Sequence, residues 1–104
     1  MSQDPILDRI VAAIRSQDQS ATVYLFGSRA RGDNRTDSDW DILILLDEPD
    51  VTDETEGPFR DELFKIEQQT GQIISAFVYS KDYWKNKLIS TPLYKIVEKD
   101  GIKL

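Results

Sequence analysis

TVYLFGSRARGDNRTDSDWDILILL, residues 22–46, is the stretch on which the fold turns. It runs from an apolar segment through a Gly-Ser break and a polar loop to an acidic pair that opens a second apolar segment. The first segment, 21–26, is β-branched and aromatic and stops at Gly27, which predicts a buried strand. The second, 41–46, is apolar at every position after Asp41, as expected of a central strand covered on both faces. Between them, residues 28–31 predict a short helical turn behind Gly27.

Working outward, Asp4-Pro5 is a helix opening: the Asp side chain can accept from free backbone donors, and Pro at the first helical position gives up a donor that had no partner. Ile6, Leu7, Ile10, Val11 and Ile14 then recur on one face, predicting a helix over 5–17. Residues 47–57 carry six acids, one Pro and one Gly, and read as an exposed loop. A helix is predicted over 58–70, with Phe59, Leu63 and Ile66 on one face and Gly71 at its end, and a third strand over 73–79. Ser80 caps a short helix to about Lys87, and Thr91-Pro92 opens a last one that Gly101 ends before the tail IKL. The order helix, strand, strand, helix, strand, helix, helix implies an α/β fold, a small mixed sheet with helices packed on it. With 104 residues, 39% of them hydrophobic, the chain is expected to form a single domain over 1–104.

The charge balance, 19 acidic against 13 basic residues for a net −6, argues against long nucleic acid as a partner, since phosphate contacts call on clustered Lys or Arg. With no Cys and no His, neither a disulfide nor the usual zinc site can form. Any metal must be held by oxygen, which favours Mg or Mn. The opening MSQDPILDRI lacks a signal peptide's basic start and apolar run, and no segment approaches the roughly 20 apolar residues of a membrane span. A cytoplasmic protein with no membrane association is expected.

Side chains along a strand alternate faces, so Asp39 and Asp41 point the same way, with their carboxylates close together. Two like charges that near are unfavourable unless a cation bridges them, and hard cations take carboxylates, waters and substrate phosphates. An isolated Asp-x-Asp at a strand entrance more often only keeps a loop wet. Gly27-Ser28 supplies the complement: a hydroxyl, free backbone donors and a glycine that lets phosphates approach. GSRARGD lacks the Lys-Ser/Thr of a P-loop and the three-glycine spacing of a dinucleotide turn. Arg29 and Arg31 read as phosphate contacts or as surface charges, with Arg31 balanced evenly between the two. Tyr83, Trp84 and Tyr94 read as core packing or as a protein interface.

Gly27-Ser28, ten residues, then Asp39-x-Asp41, flanked by strands, resembles the signature of the DNA polymerase beta-like nucleotidyltransferase superfamily. The string GSRARGDNRTDSDWDILI resembles in particular the minimal nucleotidyltransferase (MNT) group, often paired as antitoxins with a HEPN-domain partner. The resemblance implies ATP or another nucleoside triphosphate as substrate, its β,γ-phosphates on Ser28 and the backbone around Gly27, with Arg31 a further candidate from its place in the turn, and Asp39 and Asp41 as the catalytic metal ligands. It further implies transfer of AMP from ATP to a hydroxyl, on a partner protein. The alternative is a catalytically weak or inactive antitoxin that neutralises a HEPN partner by binding it.

The superfamily usually places a third carboxylate on the next strand. Residues 72–79 contain no acid, and Ser75 stands where one is expected. Asp47 shares the parity of Asp41 but lies about 20 Å along the strand. Asp37, Glu67 and a side chain supplied by a partner are the remaining candidates.

Overall fold

A computed structural model describes residues 4–104; residues 1–3 of the N-terminal stretch read above for a leader signature lie outside the described residues. The elements run α1 (Pro5–Gln17), β1 (Thr22–Phe26), α2 (Ser28–Arg31), β2 (Trp40–Leu46), α3 (Asp53–Thr70), β3 (Ile74–Ser80), α4 (Lys81–Lys87), α5 (Pro92–Asp100) and β4 (Ile102–Lys103). The four strands form one mixed sheet in the order β3-β2-β1-β4. β2 lies antiparallel to β1 and, after the crossover through α3, parallel to β3.

β2 is the axis of the fold because it can be buried on both faces. Ile42 and Ile44 join the core beneath α1 and α3, formed with Ile10, Ile14, Leu63 and Ile66. Leu43 and Leu45 join the opposite core with Phe26, Trp84 and Val97, covered by α4 and α5. Ile42, Leu43 and Ile44 are wholly buried, so truncating any one of them to alanine removes about 2–5 kcal/mol. Only Asp41 interrupts the run, and it lies on the α4/α5 side, in phase with Leu43 and Leu45.

The helix caps follow their residue types. Asp4 accepts from the Ile6 amide at 2.8 Å, Ser80 from Tyr83 at 3.0 Å, and Thr91 from Tyr94 at 3.3 Å. Two expectations need correction. The acidic segment is not all loop: α3 starts at Asp53, where Thr52 caps through the Thr55 amide, and Asp53, Glu54 and Glu56 face the positive helix end. Pro58 therefore lies inside the helix rather than opening it, with the loss of one backbone donor. The tail is not free either, since Ile102 and Lys103 pair with Leu25 and Tyr24 as the outer strand β4.

Of the three aromatics that read as core or interface, Trp84 is 7% exposed and lies 5.0 Å from the Tyr94 ring, while Tyr83 is 49% exposed and stacks on Tyr79. Among the described residues no helix is long and apolar enough to cross a membrane.

Candidate functional site

The site is built where β1 ends. Gly27 has φ 76° and ψ −157°, a backbone conformation essentially reserved for glycine. The position is also filled from outside, because a Cβ built on Gly27 would overlap the Oδ2 of Asp41. Glycine is thus required twice, once by its own dihedrals and once by the carboxylate on the neighbouring strand. The amides of Ala30 and Arg31 turn back onto the Gly27 carbonyl at 3.1 Å each, closing the single turn of α2. This geometry leaves the amides of Ser28 and Arg29 without intrahelical acceptors, at the helix's positive end. Gly32, with φ 84°, ends the turn.

Strand register gathers the acids onto this turn. Asp41 pairs across β1 with Phe26 and across β3 with Ser75. Asp39, two residues earlier, accepts a hydrogen bond from the Ser75 hydroxyl at 3.2 Å. Burial raises the Asp41 carboxyl above its ordinary pKa, the nearby charge of Asp39 raises it further, and Arg31 pulls it partly back. The two carboxylates therefore sense each other, and their repulsion is only partly compensated. Gly27, Ser28, Asp39 and Asp41 are brought together, with Arg31 close enough to act on Asp41 through its charge.

The two arginines part company. Arg29 donates to the carbonyls of Ser38 (3.0 Å) and Thr36 (3.2 Å) and to Gln72 (3.3 Å), and its guanidinium lies 4.0 Å over the Trp40 ring. It pins the loop that delivers Asp39, with its Nε and Nη2 donors engaged within the protein. Gln72, which also accepts from the Trp40 indole at 3.1 Å, completes that clamp and carried no signal in the sequence. Arg31 instead points its guanidinium between Asp33 (3.2 Å) and Asp100 (3.7 Å). Asp33 chiefly, with Asp100 adding, holds the Arg31 pKa above its ordinary value.

No third carboxylate joins the pair. Asp47 pairs with Lys81 at 2.8 Å, beyond the far end of β2. Glu67 accepts from the Ile74 amide at 2.9 Å, at a residue packed on the α1/α3 side of the sheet, opposite the acids. Asp37 joins no metal-binding group: among the described residues, no cluster of three or more acidic, His or Cys side chains could hold a metal ion. Two carboxylates on a cramped glycine turn nonetheless fit a divalent cation that takes its remaining oxygens from water and substrate phosphates. A cavity of about 1000 Å³, lined by Leu7, Val11, Leu25 and Trp40, opens on the opposite side of the sheet and does not include the acids.

Residues 7–104 match the model of the nucleotidyltransferase domain family, and the chain belongs to that family. The fold is shared with solved toxin-antitoxin structures. One, determined with AMP-PNP, has a TM-score of 0.66 at 20% identity, covering 92% of this chain and 69% of that chain. A second, a Tyr→Ala variant of the toxin-antitoxin MntA-HpeT, has a TM-score of 0.65 at 20% identity over 94% and 70% of the two chains. A third, an MntA-HpeT variant with two Asp→Glu substitutions, gives 0.64 at 16% identity over 92% and 69%. Comparison with curated proteins gave no match.

Proposed function

We propose that this chain, acting as one nucleotidyltransferase domain in the cytoplasm, transfers AMP from ATP to a hydroxyl of a partner protein. The observation that carries the reading is the contact between Gly27 and Asp41, which joins a phosphate-binding turn to a carboxylate pair. The free amides of Ser28 and Arg29, the Ser28 hydroxyl and Arg31 receive the β,γ-phosphates. Asp39 and Asp41 would hold magnesium, or manganese, which would supply charge neutralisation for the transferred phosphoryl group. The acceptor hydroxyl, releasing its proton to water, attacks the α-phosphorus, the bond to pyrophosphate breaks, and AMP is left in a phosphodiester. Arg29 contributes at one remove, holding the 36–38 loop and so fixing where Asp39 points. The similarity to a toxin-antitoxin solved with AMP-PNP supports an adenine nucleotide and a protein partner, for which a HEPN-domain toxin is the candidate.

The test is transfer of label from α-phosphate-labelled ATP to a co-expressed HEPN partner in the presence of magnesium. Label on the partner is the expected result; nucleotide that binds but is never transferred, over hours at saturating ATP, rules out the enzyme.

One observation favours a second reading, in which the chain neutralises its partner by binding and transfers little. Ser75 occupies the register position opposite Asp41 and spends its hydroxyl on Asp39. It cannot ionise to supply a third anionic ligand. Ser75→Asp separates the readings. If the missing acid limits turnover, the variant labels the partner about 10-fold or more faster, the scale on which partner groups tune a metal site. If the two-carboxylate site is already competent, a third anion beside Asp39 leaves the rate unchanged or lowers it.

A further inference from the structure

The geometry points to Asp100, the last residue of α5, as a positioning residue for nucleotide binding, acting through Arg31; this deepens the phosphate role proposed for Arg31 and rests on it. Arg31 has two acidic neighbours of different character. Asp33 follows it by two residues, is 62% exposed, and belongs to the same turn, so it moves with Arg31 and fixes it to nothing else. Asp100 comes from the opposite end of the chain, is 20% exposed, and is the contact that ties the guanidinium to the body of the fold.

The placement of Asp100 is not explained by its own helix. An acid in the last turn faces the negative end of α5, where basic residues such as Lys99 are the favoured choice. Helix electrostatics therefore disfavour Asp100, and its pairing with Arg31 offsets that disadvantage. Its position is also well anchored. Gly101 closes the helix through the Val97 carbonyl at 2.8 Å, the next two residues pair with β1, and Val97 is buried in the core beneath the helix. A carboxylate held this firmly restricts the long Arg31 side chain to the side of the turn from which its charge reaches Asp41. A guanidinium already restricted loses less freedom when phosphate arrives, so Asp100 tightens nucleotide binding although it is itself an anion.

Two effects compete on removing Asp100. Loss of positioning weakens binding, whereas loss of a negative charge strengthens it. Salt weakens the charge effect and leaves the positioning effect, so positioning wins at physiological ionic strength. Asp100→Asn should weaken binding of magnesium with a non-hydrolysable ATP analogue by about threefold to tenfold. The variant's Tm should stay within a few degrees of wild type, because the helix end loses an unfavourable charge and an ion pair together. Asp100→Glu should recover binding to within about twofold of wild type, its carboxylate being able to reach the same guanidinium.

The experiment is calorimetric titration of wild type, both variants, Arg31→Gln and the Arg31→Gln/Asp100→Asn pair, at low and at physiological salt. Positioning through Arg31 requires that Asp100→Asn weakens binding in the native background and changes nothing once Arg31 is gone. Unchanged or tighter binding at physiological salt overturns the inference, as does an equal loss in both backgrounds. If wild type itself binds no nucleotide, the proposed function fails and takes this role with it, an outcome distinct from the first two.

Discussion

Asp41→Asn is expected to abolish AMP transfer, by about three orders of magnitude or more, while leaving the protein as stable as wild type or more so. The two halves of this expectation have one cause. Asp41 is half-buried beside Asp39, and burial together with that neighbouring charge raises its pKa, so the folded state disfavours the ionised carboxylate. The sign follows directly. A carboxyl whose folded pKa lies above its unfolded value binds protons more tightly in the folded state. Stability therefore falls as pH rises from the ordinary Asp range through the raised value, and the full penalty stands above it. Asparagine keeps the shape and removes the charge, so the penalty disappears and cation binding goes with it. Denaturant titrations across the acid range should show wild type losing stability with rising pH in that window, and the variant losing less. A variant of lower stability at neutral pH would mean that Asp41 is held by a favourable interaction in the free protein, against this account.

Gly27→Ala should damage fold and function together. The substitution places a Cβ on a backbone at φ 76° and ψ −157°, and drives it into the Asp41 carboxylate. Backbone strain of about 1–3 kcal/mol adds to an overpacking term of similar size, for a combined loss of about 2–6 kcal/mol. In a domain of this size that lowers Tm by roughly 10–30 °C. Gly32→Ala is the matched control. Gly32 also has positive φ, 84°, but a Cβ there would meet nothing within 4 Å. It should lose only the left-handed penalty of about 1–2 kcal/mol and retain nucleotide binding. The Gly27→Ala/Asp41→Gly pair should regain part of the lost stability by removing the overlap, without regaining binding. Equal Tm losses for the two single variants would show that crowding against Asp41 adds nothing.

The parts of this molecule legible in its sequence are those fixed by local chemistry. The DILILL run, apolar at consecutive positions, could only be a strand buried on both faces, and it proved to be the middle of the sheet. Parity placed Asp39 and Asp41 on one side of it, and register then brought Ser75 opposite, where an acid was sought. The start of α3 was obscured by composition. Six acids read as a solvated loop, although three of them sit where a helix N-terminus attracts negative charge, and Pro58 marked a more familiar opening than Thr52. β4 was invisible because two residues carry no period. The roles of the arginines were beyond local reading altogether. Arg29 finds Gln72 and Arg31 finds Asp100 only after the sheet has assembled, and nothing in GSRARGD distinguishes the arginine that clamps the 36–38 loop from the one that pairs with α5.

The central claim is that Gly27-Ser28 and the Asp39/Asp41 pair form one magnesium-nucleotide site. Calorimetric titration of a non-hydrolysable ATP analogue into wild type and Asp39→Asn/Asp41→Asn, each with and without magnesium, tests it most directly. The account predicts a single saturable site in wild type that needs magnesium and vanishes in the double variant. Equal binding by both proteins, or no binding by wild type at millimolar nucleotide and magnesium, would contradict it.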